Sequence, residues 1–434
     1  MRKLLLASAA SLLAAGTAFA QPAKQVAAPG TIVVHLDGYF QFSVGAVGSS
    51  QMSGGSVAAG TAYKLNGDGT AGDFRLYPGF DAQTLNGIWY GFQSDIRVTF
   101  SNAGEATNSN TTNGQGNSTF YIKRAYGYIG TPDYGFARFG QTDSAFTLLQ
   151  AGMVQNYGDG SQFNSDGDTR QMLPTIPGLF VYANTSKLYG TNKVVYETPA
   201  VAVLGGKLSG AIGFEPNSNA IKQGYANPAS ANAANAISIV NGSPNRRRNT
   251  IDAAVAYAET VNGFTNKVSV SYLHGAPLGI LGAAPATAKY GYDELSVFQA
   301  GAQTTYAGLT VGANLKEGQL EDGYAFKPKG GRDGLGYIVG ASYTVGPYTV
   351  GASYFNEQTS GYYVPGSTTV ARTLSEYGVA AGANYQIAKP INLFIQYLYG
   401  HQHQPGAFAA SNGVIGANGN TQEQLVAAGT TLKW

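Results

Sequence analysis

The chain has 434 residues, of which 60 are glycine, 29 tyrosine and 20 phenylalanine, and only 12% carry a charge. It has no cysteine, which excludes disulfides, thiolate nucleophiles and thiolate metal sites, and its formal charge of only +2 speaks against a nucleic-acid partner, which needs a net basic face. Mean hydropathy is −0.10, so the chain is not a bundle of apolar membrane helices.

In chain order, the first element is an export signal. Arg2-Lys3 forms a basic start, "LLLASAASLLAAGT" an apolar run too short for a comfortable span, and "AFA" places small residues at Ala18 and Ala20. Residues 1–20 read as a signal peptide and 21–434 as the mature protein. Cleavage removes Arg2 and Lys3, two of the 26 basic residues, and leaves 24 against 24 acidic ones.

From residue 31 to the end the apolar residues recur with a period of two, the signature of β-strands with one apolar face. Ile32, Val34, Leu36, Phe40, Phe42 and Val44 alternate with His35, Asp37, Tyr39, Gln41 and Ser43. "YIVGASYTVGPYTVGASY" (337–354) holds two such strands around Gly346-Pro347, with Tyr337, Val339, Tyr343, Val350 and Tyr354 opposite Gly340, Ser342, Gly351 and Ser353. Sixteen segments of this kind start near residues 31, 71, 88, 119, 135, 192, 207, 250, 264, 293, 308, 335, 347, 373, 391 and 421. Short connections such as "TVNG", "GP" and "AKP" alternate with long ones rich in Gly, Asn, Ser and Ala, near 47–70, 102–118, 143–191, 216–249, 275–292, 317–334, 358–372 and 404–420.

A soluble sandwich would have to hide every apolar face in one core, and single cores stop growing at this length. No fixed repeat period supports a solenoid. An outer-membrane barrel needs no such core: one face meets lipid, the other lines water, and closure pairs every backbone group. The expected fold is therefore all-β, a transmembrane antiparallel β-barrel of about 16 strands with aromatic girdles, and Tyr337, Val339, Tyr343, Val350 and Tyr354 face lipid.

At this point the sequence resembles the general diffusion porins of Gram-negative bacteria. The resemblance covers the mature chain in pattern. It is carried locally by "DFRLYPGFDAQTLNGIWYGFQSDI" (73–96), "KRAYGYIGTPDYGFARFGQTDSAF" (123–146), "NKVVYETP" (192–199) and the terminal aromatic Trp434. It departs where Gly140-Gln141 replaces the family's Gly-Arg strand end, and where Trp434 replaces the usual Phe. The resemblance implies a passive channel for small hydrophilic solutes and ions, most often a homotrimer, and not an enzyme. It also implies insertion by the outer-membrane assembly machinery through the terminal strand, contact with outer-membrane lipid and lipopolysaccharide, and a third loop (143–191) folded into the lumen. Two other readings stay open: a sugar- or anion-selective channel, or a barrel acting as adhesin or receptor through its loops. Candidate lumen aromatics, Tyr39, Tyr77, Trp89 and Phe394, are too scattered to form a sugar slide.

Alternation turns Arg75, Arg97 and Arg138 toward the lumen. It leaves Lys123-Arg124 ambiguous, and the resemblance places Arg124 inward. These four form a candidate basic wall; rings of charge select ions in channels. The candidate partners are Asp143, Asp159, Asp166 and Asp168 in the long loop. The stretch "YGDGSQFNSDGDTR" is also open to reading as a solvated loop or a calcium-loop fragment, though it lacks EF-hand spacing and the closing Glu. Arg246-Arg247-Arg248 reads as a solvated loop edge or a contact to lipopolysaccharide phosphate. His401 and His403 share a strand face but have no assignable third ligand, and no Gly-x-Ser-x-Gly elbow or zinc helix motif occurs. No cofactor, metal or catalytic residue is expected.

Overall fold

The structure is a computed structural model. Residues 1–26, 102–119, 164–168, 174–181, 183–190, 218–246, 278–291, 362–372 and parts of 51–65, 322–323 and 404–419 lie outside the described residues; the rest are described. The proposed signal peptide, Asp166, Asp168 and Arg246 fall in those excluded stretches.

Sixteen wall strands form one antiparallel barrel among the described residues. They are β1 (Ile32–Ser49), β2 (Asp68–Gln83), β3 (Trp89–Ser101), β4 (Tyr121–Thr131), β5 (Gly135–Gln141), β6 (Asn192–Glu197, continued by Val201–Val203), β7 (Gly206–Asn217) and β8 (Arg247–Val261). The second half comprises β9 (Phe264–Pro277), β10 (Leu295–Tyr306), β11 (Leu309–Gln319), β12 (Gly334–Val345), β13 (Tyr348–Thr359), β14 (Leu374–Ala388), β15 (Ile391–His403) and β16 (Asn420–Lys433). Each strand pairs with its sequence neighbours. β1 pairs with both β2 and β16, in the register Tyr39↔Arg75 and Tyr39↔Lys433, so no edge is left open. The short turns all gather at the end that carries the chain terminus. The turn between β8 and β9 uses Asn262 and Gly263 with φ of 50° and 83°, the paired left-handed geometry whose twist suits a two-residue hairpin.

The closing seam is built on a small residue. The backbone N–H of Trp434 donates to the Gly38 carbonyl at 3.2 Å and Gly38 returns the bond at 3.1 Å, while the indole packs 6.2 Å from the Phe74 ring. A Cβ on Gly38 would overlap that indole.

Side chains divide as the alternation requires. Val34 is 78% exposed and Val350 51%, whereas Gln41, Ser43, Ser342 and Ser353 on the opposite face are buried. Tyr337, Val339 and Tyr343 lie on the exposed face, so the outward set meets lipid. The inward face is not uniformly polar. Ile338, Phe355, Leu398 and Leu425 point inward and are buried against Val154, Tyr157, Phe163, Met172 and Tyr182 from the segment between β5 and β6. The barrel therefore encloses a small apolar core that period-two reading does not reveal.

Candidate functional site

The four candidate arginines sit on four adjacent strands. Arg75 (β2) and Arg97 (β3) are cross-strand partners, Arg124 lies on β4 and Arg138 on β5. Arg75 and Arg97 are 0% and 2% exposed. Like charges placed directly opposite are destabilising unless compensated, and here each has a carboxylate. Asp73 pairs with Arg75 from the same strand face. Arg97 donates Nε and Nη2 to the two oxygens of Asp95 at 2.8 and 2.7 Å. Arg124 donates Nη1 to Asp95 at 2.9 Å and forks onto Asp143 with Nη2 at 2.8 Å and Nε at 3.0 Å. Arg138 pairs with Glu197 on β6 and lies 5.4 Å over the Tyr126 ring; Arg75 lies 4.9 Å over Tyr39. The result is a wall of alternating guanidinium, carboxylate and phenol groups.

Arg124 resisted the alternation rule for a local reason. The β3–β4 register passes from Asp95↔Arg124 to Ile96↔Ile122, leaving Lys123 as the extra residue of a β-bulge. A bulge reverses the phase of the strand, so Ile122 and Arg124 take opposite faces although they are two apart. Ile122 is 56% exposed while Arg124 is buried.

The carboxylates divide differently from the expectation that they face the arginines together. Asp143, at the base of the long segment, does so. Burial acts to raise its pKa, but the charge and hydrogen bonds of Arg124, with Arg138 and Lys193 beyond, hold it below the usual carboxylate range. Asp159 lies against β15 instead. It accepts from Gln396 Nε2 at 2.9 Å and from Ser161 N at 3.1 Å, and it also binds Thr169. Its oxygens serve as internal anchors, and Asp166 and Asp168 lie outside the described residues.

The described part of segment 142–191 runs along the inward faces of β8 to β15. The Phe146 N–H donates to Asp252 (β8) at 2.8 Å. The Ala151 N–H donates to Ser269 Oγ (β9) at 2.9 Å, and its carbonyl accepts from Asn314 Nδ2 (β11) at 2.9 Å. Ser353 Oγ (β13) donates to the Val154 carbonyl at 3.0 Å, and Asn384 Nδ2 (β14) to Gly158 at 2.8 Å. Further on, Tyr182 hydroxyl donates to the Asn314 carbonyl at 3.0 Å. Burial pushes that hydroxyl well above its ordinary pKa, so it remains a donor. The room that Ser342, Ser353, Gly340 and Gly351 leave is thus occupied by the segment and is not all open lumen.

Two further inward clusters escaped the sequence reading. Lys316 (β11) and Glu357 (β13) pair at 2.8 Å, one on each side of Gly336 on the intervening strand. Lys193, Glu215 and Arg247 form a second buried network, in which Arg247 Nη2 donates to Glu215 at 3.2 Å. This corrects the reading of Arg246-Arg247-Arg248 as a solvated edge for Arg247 alone; Arg248 is exposed, and Arg246 lies outside the described residues. Arg247 starts β8 and is only 2% exposed, because the strand begins earlier than its apolar pattern and turns Arg247 inward. Strand phase, invisible in a run of three arginines, was the missing signal. Of the aromatics, Tyr39 and Phe394 are buried on the inward face. His401 stacks on Tyr377 at 5.0 Å on the outward side of the rim, and His403 meets Asn420.

A family model of Gram-negative porins matches residues 7–404. No curated protein matches the sequence. Among solved structures, an anion-selective porin from Comamonas acidovorans is 14% identical, with a TM-score of 0.51 over 93% of this chain and 100% of that one. OmpT of Vibrio cholerae, in its trimer form, is 11% identical with a TM-score of 0.48 over 93% and 99%. The closed sixteen-stranded wall, its lipid-facing exterior and the match over nearly the whole sequence converge: the chain belongs to the Gram-negative porin family, and it forms an outer-membrane diffusion channel.

Proposed function

We propose that this porin passes small hydrophilic solutes and ions with weak charge preference, through a passage bounded by the arginine wall of β2–β5 and the segment 142–191. The observation that carries the reading is the local compensation of the wall. Arg75, Arg97, Arg124 and Arg138 each have a carboxylate at ion-pair distance, from Asp73, Asp95, Asp143 and Glu197. Paired charges leave little net field at a distance, and salt screens what remains. Reversal potentials under a salt gradient test this. A value near zero supports weak preference. A value near the chloride limit replaces the proposal with an anion-selective channel, the property named for the Comamonas porin. An absence of pore current from folded protein would favour a receptor or adhesin.

The finer biology follows the same reading. Residues 1–20 direct export, the protein assembles as a homotrimer, and the assembly machinery reads the end of β16. Trp434 supports the last point, since its backbone and indole complete the seam with Gly38 and Phe74. Deleting Trp434 should leave exported protein uninserted in the periplasm; normal surface yield would refute this. Cross-linking of the intact outer membrane should give trimers.

A further inference from the structure

The segment 142–191 leaves and rejoins the wall at one place. Gln141, the last residue of β5, pairs with Asn192, the first of β6. Thr142 and Thr191 therefore stand side by side as the two roots of the segment. One side chain reaches both. Lys193 Nζ donates to the Thr142 carbonyl at 2.9 Å, to the Thr191 carbonyl at 3.1 Å and to Thr191 Oγ1 at 2.7 Å. An ammonium has three donors, and three acceptors from the two roots meet them. Lys193 is 4% exposed, so water does not substitute for these partners.

The ammonium is held in turn. Glu215 on β7 lies 3.6 Å from it and accepts from the Thr191 hydroxyl. Glu215 also accepts from Arg247 at 3.2 Å and from Thr250 Oγ1 at 3.3 Å, both on β8. Directly beyond the first root, Ala145 and Leu149 pack on Val195, Ala211, Ala254 and Ala256 of the same three strands. The departing limb is thus aimed along the inner wall from a fixed base.

We propose that Lys193 is the positioning residue of the channel's inner segment: it ties both roots through one ammonium, and Glu215 backed by Arg247 holds it there, so that this network sets the bore. The inference rests on the reading that the segment bounds the passage.

Single-channel recording of full-length protein in planar bilayers tests it. Lys193→Met keeps the length and removes the donors. It should raise the fraction of time spent in a larger-conductance, flickering state by about tenfold, the shift expected for losing a hydrogen bond to a charged group. Glu215→Gln removes the opposite charge and should change flicker in the same direction. A mere charge effect on permeating ions would instead move the two variants' reversal potentials oppositely and leave flicker at the wild-type level, and that result overturns the proposal. Thr191→Val removes one acceptor of Lys193 together with the hydroxyl that donates to Glu215, and keeps the test alive if Lys193→Met does not insert: a smaller rise in flicker supports the clamp, and unchanged flicker sinks it. Deleting residues 153–163 tests the underlying reading separately. Unchanged wild-type conductance after that deletion would refute the boundary role of the segment, whatever the Lys193 variants show.

Discussion

The inner surface has two contrasting regions built on the same strand geometry. On β2–β5 the inward positions are large and charged, and they pair with one another: Arg75 with Asp73, Arg97 with Asp95, Arg138 with Glu197. On β9–β15 many inward positions are small or polar and uncharged, among them Ser269, Gly301, Gly312, Asn314, Gly340, Gly351, Ser353, Gly382 and Gln396, interspersed with the larger Ile338, Phe355 and Leu398 and the Lys316–Glu357 pair. There the backbone of the inner segment comes into contact with the wall. A Cβ on Gly301 would overlap the Ala151 carbonyl, and one on Gly351 would overlap the Tyr157 ring. Small inward residues thus let the segment's backbone approach the wall on these strands.

Breaking the charged half should have the largest effect. Arg97→Met removes the guanidinium that grips both oxygens of Asp95 and should cost about 3 kcal/mol, at the lower end for a severed buried pair because Arg124 still reaches Asp95. Urea unfolding in detergent, followed by heat-modifiable gel mobility, measures it. The double change Arg75→Met with Arg97→Met leaves Asp73 and Asp95 in the wall and should move the reversal potential toward cations, most strongly at low salt. No shift would mean that permeating ions do not sample this wall.

An effect of comparable size lies on the outside, common to both halves. Val339→Arg places a charge on the exposed face of β12 and should cost roughly 2–4 kcal/mol near the bilayer midplane. Equal tolerance of Val339→Arg and of a polar change at an inward position would contradict the lipid-facing assignment.

Filling the small half should cost about 1–3 kcal/mol, the range for overpacking. Gly301→Val collides with Ala151 and should displace the segment, raising conductance while the barrel still resists detergent at room temperature. Wild-type conductance from a folded Gly301→Val protein would show that the segment does not govern the bore.

The smallest effect concerns the point where the halves meet. Asp143 is depressed in the folded protein, so its contribution is fully present above the unfolded carboxylate value, about 4, and is lost as pH falls through the lower folded value. The root of the segment should stay anchored as pH drops from 7 to about 4 and let go below that. Hydrogen exchange of Ala145–Leu148 against pH reports it, and Asp143→Asn should abolish the step. Release that begins above pH 5 would contradict the depressed value.

Sequence alone determined the wall. A strand's side-chain period is two in any barrel, so outward Val339 and Val350, inward Arg75 and Arg97, and the alternation of short and long connections were all legible before any coordinate. What only the tertiary structure decided depends on contacts between residues far apart in the chain, where alternation carries no information. A bulge at Lys123 fixed the face of Arg124. The register of β7 with β8 brought Arg247 to Glu215 and turned that one arginine of a presumed surface cluster inward, while Arg248 stays exposed. Docking of the inner segment gave inward Ile338, Phe355 and Leu398 an apolar partner. It also sent Asp159 to Gln396 and away from the arginines, because a buried carboxylate settles where donors are already fixed in place.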